Sequence, residues 1–392
     1  MRDQEDTPEN LLGTEYGTLP DGWEILELGD VATLQRGKDL PVSDRQLGSY
    51  PVVGSNGVVG YHVEAVSSGP GVLVGRSGSV GKVTWIAEDY WPLNTALWVR
   101  DFHDNDPRYV FYLLSYLQLS RFAAGVSVPT LNRNLIHPVK VAVPPLTEQE
   151  AIAHVLSTLQ ETIETTDQVI EATRELMRSL TNHLLTYGPV PMDEADQVPL
   201  RETEIGPVPE HWQAVCLEEV ATLQRGKDLP QSKRQPGRHP VVGSNGVVGS
   251  HSRSVADGPG VLVGRSGSVG KVTWVEKSYW PLNTALWVKD FHGNDAAFVY
   301  RLLGTIDFSK YTAGVSVPTL NRNLVHPVVV GVPPLQEQQE IAHILGAMDE
   351  KIAAEESLKS SLDDLFKTLL HNMMTGKLTA NDIDLSEVEG VA

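Results

Sequence analysis

The stretch GPGVLVGRSGSVGKVTW at residues 69–85 recurs without a change at 258–274. Outward from it, LQRGKDLP (34–41) returns at 223–230 and PVVGSNGVVG (51–60) at 240–249. YWPLNTALWV (90–99) returns at 279–288, and AGVSVPTLNRNL (124–135) at 313–324. Every pair is offset by 189 residues, so Thr14–Glu202 and Thr203–Val391 align without a gap in a chain of 392. A period this long exceeds any solenoid unit and marks a duplicated domain with a duplicated attachment.

Each copy has two regimes. Residues 23–145 and 212–334 carry short apolar runs (VLVG, KVTW, TALWV) broken by SNG, SGS and GPG turns, which predicts short strands in a compact mixed domain. One modest helix is expected at 107–120 and at 296–308. After VPPL at 143–146 and 332–335 the period changes. Ile152, Leu156, Leu159, Ile163, Thr166, Ile170, Thr173, Met177, Leu180 and Leu184 alternate at spacings of four and three. Ile341, Leu345, Met348, Ile352, Glu355, Lys359, Leu362, Phe366, Leu369 and Met373 repeat the register. Such alternation is a coiled-coil seam, on helices of about 35 residues and about 50 Å. Thr166, Glu355 and Lys359 interrupt the stripe.

The predicted fold class is therefore α+β: two mixed globular domains and two long paired helices, with an internal duplication. The expected division is an N-terminal tail (1–13), a first domain (14–145), a central helix (146–186) and a linker (187–205). A second domain (206–334), a distal helix (335–378) and a C-terminal tail (379–392) follow.

The net charge of −19 argues at first against a polyanionic partner. Its distribution removes the argument. Residues 23–145 hold ten basic and eleven acidic side chains, and 212–334 hold thirteen and eight, so the acidic excess belongs to the helices, linker and tails. The single cysteine, Cys216, aligns with Glu27 and excludes a disulfide framework or a CxxC site. No apolar leader opens the chain and no run approaches eighteen apolar residues, so a secreted or membrane-spanning protein is not expected.

GRSGSVGK (75–82, 264–271) invites a phosphate-loop reading, but a Walker A loop needs glycine where Arg76 and Arg265 stand, and Ser or Thr after the lysine. Two readings stay open: a structural turn, or a polar loop whose Arg76, Ser77, Ser79 and Lys82 meet phosphates (Arg265, Ser266, Ser268 and Lys271 in the second copy). LQRGKDLP offers Arg36 and Lys38, matched by Arg225 and Lys227. VPTLNRN offers Thr130, Asn132, Arg133 and Asn134, matched by Thr319, Asn321, Arg322 and Asn323. Asn can contact adenine and Arg guanine bidentately; turn and cap chemistry is the alternative. His62, His103 and His137 recur as His251, His292 and His326 at spacings that fit no ordinary zinc site, and are expected to be structural. No GxSxG elbow, metal-binding carboxylate cluster or methyltransferase motif is present, so the chain is expected to be non-catalytic.

The order of domain, VPPLTEQEAIAHVL helix, domain, VPPLQEQQEIAHIL helix resembles the DNA specificity subunit of Type I restriction–modification systems. YGTLPDGWEILELGDVA (16–32) and IGPVPEHWQAVCLEEVA (205–221), GRSGSVGK, GVSVPTLNRNL and the PPL-x-EQ helix entry carry the likeness over 14–378. The resemblance implies two target recognition domains that read the halves of a split site on double-stranded DNA through the major groove. It implies antiparallel helices that fix the gap, so that a heptad inserted in both would lengthen the spacer by about 10 Å, roughly three base pairs. It implies no cofactor on this chain. Two modification subunits, docked on the helices, would bind S-adenosylmethionine and methylate adenine, and restriction/translocase subunits would use ATP and Mg. A cytoplasmic, DNA-associated protein is expected, with no membrane partner. This chain departs from the pattern in one respect: its two domains are nearly identical where family members commonly carry dissimilar ones. Equal reading segments about a pseudo-twofold axis imply an interrupted palindrome as target. The competing expectation is a duplicated scaffold or protein-interaction module that does not read DNA.

Overall fold

The computed structural model describes residues 19–125, 129–314 and 318–382. The expected N-terminal tail, most of the C-terminal tail and the VSV triplets at 126–128 and 315–317 lie outside the described residues. The chain divides into two units, Met1–Gln168 with Ser357–Ala392, and Val169–Glu356.

In the first unit a four-stranded antiparallel sheet runs in the order Thr33–Arg36, Ala96–Asp101, Gly71–Gly75, Val83–Ile86. A three-stranded sheet places Tyr50–Gly54 between Gly57–His62, antiparallel, and Trp91–Pro92, parallel. All of GVLVG (71–75) is buried because it lies between two cores. Val72 and Val74 point to one with Leu34, Leu97 and Val99, whereas Leu73 joins Val53, Ile86 and Tyr90 in the other. That is the two-residue strand period seen from both faces.

The helix Pro107–Tyr116 starts where Pro107 follows Asp106, whose carboxylate accepts from the Tyr109 amide (2.7 Å). It is shorter than 107–120. Gln118, with a left-handed φ of 48°, turns the chain into a 3-10 turn at Leu119–Phe122. Tyr109, Val110, Leu113 and Leu114 of this helix complete the larger core with Ile152 and Leu156 of the first long helix, and Met373 and Met374 of the second.

The second unit repeats both sheets: Thr222–Arg225, Ala285–Asp290, Gly260–Gly264 and Val272–Val275 in one, and Gly246–His251, His239–Gly243 and Trp280–Pro281 in the other. Its core joins Val261, Val263, Phe298 and Leu303 to Leu184, Ile341 and Leu345. The expected linker is more structured than its Pro-rich, acidic sequence suggests. It folds as a 3-10 turn, Met192–Gln197, and a hairpin of Leu200–Thr203 with Gly206–Pro209, and Arg201 donates to the Trp212 carbonyl (2.7 Å).

The long helices span Leu146–Tyr187 and Leu335–Met374. In the first unit Lys359 Nζ meets Asp167 Oδ1 (2.8 Å), while Met373 shares a core with Ile152. In the second, Arg174 pairs with Glu356, and Leu184 packs with Ile341 and Leu345. Residue numbers run in opposite senses, so the pairing in each unit is antiparallel. Ile152, Leu156, Leu159, Ile170, Leu184, Ile341, Leu345, Leu362 and Met373 are buried, with Ile163, Met348 and Ile352 half-buried. The polar breaks have partners: Thr166 Oγ1 donates to the Thr162 carbonyl (2.8 Å), Lys351 pairs with Glu355 (3.2 Å), and Lys359 has Asp167.

The helix entry explains why PPL-x-EQ recurs. Glu148 accepts from the Trp23 indole (3.1 Å), and Gln149 is buried with every polar end used. Its amide nitrogen donates to the Pro144 carbonyl (3.0 Å) and Asn105 Oδ1 (2.8 Å), and its oxygen accepts from the Asp106 amide (3.0 Å). Glu337 and Gln338 repeat these bonds with Trp212, Pro333, Asn294 and Asp295. Each glutamine thereby fastens its long helix to the first turn of the domain's short one.

Candidate nucleic-acid interface

Strand pairing sets Gln35 opposite Trp98 and Arg36 opposite Leu97. Next to them the chain leaves Gly75 into GRSG. There the Arg76 amide donates to the Thr95 carbonyl (2.8 Å), the Leu131 amide donates to the Arg76 carbonyl (2.8 Å), and Ser77 bridges Thr130. These main-chain bonds bring three distant segments to one open cleft of about 780 Å³. Gln35, Arg36, Arg76, Arg100, Thr130, Asn132 and Arg133 line it, over an apolar floor of Leu97, Ala124 and Leu131. In the second unit Gln224, Arg225, Arg265, Thr319, Asn321 and Arg322 line a cleft of about 600 Å³ over Leu286, Ala313 and Leu320.

Among the described residues no lining residue of either cleft is acidic. Among the described residues no ion pair involves Arg36, Arg76, Arg100 or Arg133, or Arg225, Arg265 or Arg322. Burial, and then the neighbouring Arg225 guanidinium, lowers the pKa of Arg265 from its ordinary value. Like charges that converge without counter-charges repel one another, and a polyanion laid across them relieves the repulsion. Neutral hydrogen-bonding side chains among the guanidinium groups add what phosphate attraction alone lacks, a means of telling base edges apart.

The sequence-predicted residues separate into two groups. Arg36, Arg76, Thr130, Asn132 and Arg133 meet in the first cleft, and Arg225, Arg265, Thr319, Asn321 and Arg322 in the second. The cap chemistry also holds: Asn132 Oδ1 accepts from the Asn134 amide (3.0 Å) and starts the short helix Arg133–Ile136.

The rest of GRSGSVGK lies outside the cleft lining, in a turn held by its own hydrogen bonds. Lys82 Nζ donates to the Asn56 carbonyl (2.9 Å) and Oδ1 (3.1 Å), and Ser79 Oγ to Asn56 Oδ1 (3.4 Å). Lys271 and Ser268 hold Asn245 in the same way. The amides of Gly75, Arg76, Ser77, Val80, Gly81 and Lys82 all donate to carbonyls of the domain, so that part of the loop's main chain is no anion cradle. Gly75 has no room for a Cβ, which would lie 1.9 Å from the Ser79 carbonyl oxygen. Ser77 and Ser266 bridge Thr130 and Thr319 through their main chains. Lys38 and Lys227 are fixed through main-chain amides to Pro92 and Pro281, and they and the exposed Asn134 and Asn323 are not part of the lining.

Gln35, Gln224 and Arg100 belong to the clefts but did not stand out in sequence. In TLQR, Leu34 is buried and Gln35 faces the opposite way, so the strand period held a signal for the glutamine. Arg100 Nη1 donates to Gln35 Oε1 (3.4 Å); Lys289 stands at its position in the second copy. Asn94 joins the network from behind, with its carbonyl accepting from Arg76 Nη1 (3.2 Å) and its amide donating to Asp39.

The histidines are structural. His62 Nδ1 accepts from the Gln46 amide (3.0 Å), His137 Nε2 from the Leu34 amide (3.0 Å), and His103 Nε2 lies 2.7 Å from Thr33 Oγ1. Among the described residues no cluster of three His, Cys, Asp or Glu could hold a metal, and no helix is long and apolar enough to cross a membrane.

Comparison with known proteins gives a consistent result. The family described as Type I restriction modification DNA specificity domain matches residues 20–173 and again 209–363. The Type I restriction enzyme MjaVIII specificity subunit of Methanocaldococcus jannaschii is 22% identical, over 96% of this chain and 97% of its own length. The EcoDI specificity subunit of Escherichia coli is 21% identical, over 93% and 90%. The crystal structure of a Type-I restriction-modification system S subunit from M. genitalium superposes with a TM-score of 0.68 at 19% identity, covering 91% of this chain and 98% of the other. That likeness supports the fold.

Proposed function

The chain belongs to the Type I restriction modification DNA specificity family, which matches both copies, and on that premise we propose that its two clefts read the same short DNA half-site. As a specificity subunit it supplies DNA sequence-specificity to a Type I restriction–modification complex and is not itself the catalyst. Its partners are DNA and the methyltransferase and restriction subunits of that complex. The finer reading adds two modification subunits, adenine as the methylated base and an interrupted palindrome as the target. Residues 14–145 and 206–334 act as the target recognition domains in this reading, 146–186 and 335–378 as the long helices, and 187–205 as the connection.

One observation carries the proposal: apart from Arg100 in the first, the two clefts are lined by the same residue types at positions 189 apart, with Gln, Thr and Asn set among Arg that enter no ion pair among the described residues. Arg and Gln or Asn can make bidentate contacts with guanine and adenine, each worth about 1–3 kcal/mol of discrimination. The donor positions that the clefts share, Gln35, Arg36, Arg76, Thr130, Asn132 and Arg133 with their counterparts in the second copy, should select the same bases. Selection of bound duplexes from a randomised pool by the purified chain tests this. Enrichment of an inverted repeat with a fixed unread spacer is the expected result; enrichment of two unrelated half-sites would refute equal reading, and no enrichment would favour a scaffold.

A further inference from the structure

The charge of the two units differs sharply in one place. Segments 231–239, 250–257 and 275–278 of the second carry five basic and two acidic side chains, a net +3. The aligned segments 42–50, 61–68 and 86–89 carry one basic and four acidic, a net −3. The reversal comes mainly from four aligned exchanges: Asp44 against Lys233, Ser49 against Arg238, Glu64 against Arg253, and Glu88 against Lys277. It sits within copies whose cleft linings match at every position but Arg100.

In the folded second unit these segments form one surface. His239 Nδ1 lies 3.1 Å from the Ser278 carbonyl oxygen; a Cβ on Gly237 would lie 2.3 Å from Ser252 Cα, and one on Gly258 2.2 Å from the Glu276 carbonyl oxygen. Lys233, Arg238, Arg253 and Lys277 are exposed, and among the described residues no ion pair involves them. Hydrogen bonds and the chain link the cleft to this surface. Arg265 Nη1 donates to the Asn283 carbonyl (3.4 Å), Asn283 donates to Asp228, and the chain runs on from there to Lys233. Six residues from Lys227 to Lys233 span at most about 20 Å, the length of about six base pairs of duplex. The matching surface of the first unit is acidic and apolar, with Leu47 and Tyr61 exposed.

We propose that the basic lobe of the second unit grips the phosphate backbone of the duplex flanking its half-site, and that the first unit has no such grip. The heads then read alike and hold unequally. This rests on the DNA-reading function proposed above. The test uses the full chain in two charge-exchange variants and the salt dependence of its affinity for a random-sequence duplex. Lys233→Asp with Arg238→Ser, Arg253→Glu and Lys277→Glu should lower the slope of log affinity against log salt by about three to four. The wild type would then lose about 100-fold more affinity between 50 and 200 mM salt than this variant. The reciprocal variant, Asp44→Lys with Ser49→Arg, Glu64→Arg and Glu88→Lys, should raise the slope, a gain that misfolding cannot imitate. In neither should the preference for target over random duplex change. Unchanged slopes in both variants overturn the proposal. So does an unchanged slope with loss of co-purifying modification subunits, which would make the lobe a protein contact. If the wild type binds no duplex, the DNA-reading function fails and this inference with it; if it prefers its target and only the slopes stay fixed, this inference fails alone.

Discussion

Replacing Arg133 and Arg322 by alanine together separates base reading from phosphate anchoring. Each arginine is exposed at the first position of a four-residue helix that is capped by a different side chain, Asn132 or Asn321. Neither enters an ion pair among the described residues, so the cost to folding should stay within about 0.5 kcal/mol per site. If each makes one bidentate base contact, the pair contributes about 2–6 kcal/mol of discrimination, or roughly 30-fold to 10⁴-fold in the ratio of target to random affinity. Had they neutralised two phosphates instead, affinity for all sequences would fall together and the salt slope would drop by about 1.8. Fluorescence anisotropy titrations on a target and a scrambled duplex, repeated between 50 and 200 mM salt, distinguish the two. Collapse of the ratio with an almost unchanged slope on random DNA is expected. Equal weakening of both duplexes with a lower slope would refute the base-reading role, and no change in either would remove these residues from the interface.

Three further outcomes follow from the structure. Gln149→Ala removes three hydrogen bonds at a buried helix entry and should destabilise the chain by about 2–4 kcal/mol, seen as a lower urea midpoint. Lys82→Met should cost stability through the Asn56 turn but leave the preference for target DNA intact; a loss of that preference in a folded variant would return Lys82 to the interface. His137 and His326 accept main-chain amides through Nε2, and burial lowers both pKa values below the usual 6.5, with Glu218 partly opposing at His326. The folded state therefore takes up protons less readily than the unfolded chain. This contribution to stability is present above about pH 6.5 and is lost as the pH falls below it. His137→Gln with His326→Gln keeps an acceptor and should flatten the fall in Tm between pH 7 and pH 5.

Much of this architecture was legible because it is written twice. A gapless repeat at 189 residues defines the duplication without any structural prediction, and the four–three spacing from Ile152 to Leu184 marks the long helix before its partner is known. The cleft was legible only in part. Sequence names residue types but not their directions: Arg76 and Lys82 stand in one loop, yet Arg76 enters the cleft while Lys82 holds the turn at Asn56. Arg100 reaches the cleft because its strand pairs with Thr33–Arg36, more than sixty residues away, and no local pattern announces that pairing. The Pro-rich connection after Tyr187 hides its hairpin for a related reason. Its hairpin strands are short and half polar, so turn residues dominate the sequence signal.

If two matched clefts read one half-site twice, the modified motif must carry that symmetry. Mapping methylated bases across the genome of cells that express this chain with its modification subunits tests it most directly. The expected result is methyladenine within a single interrupted palindrome, the same half-site on both strands about a fixed spacer, lost together when Arg133 and Arg322 are replaced. A modified motif with two dissimilar halves, or methylation without any recurring motif, would contradict it.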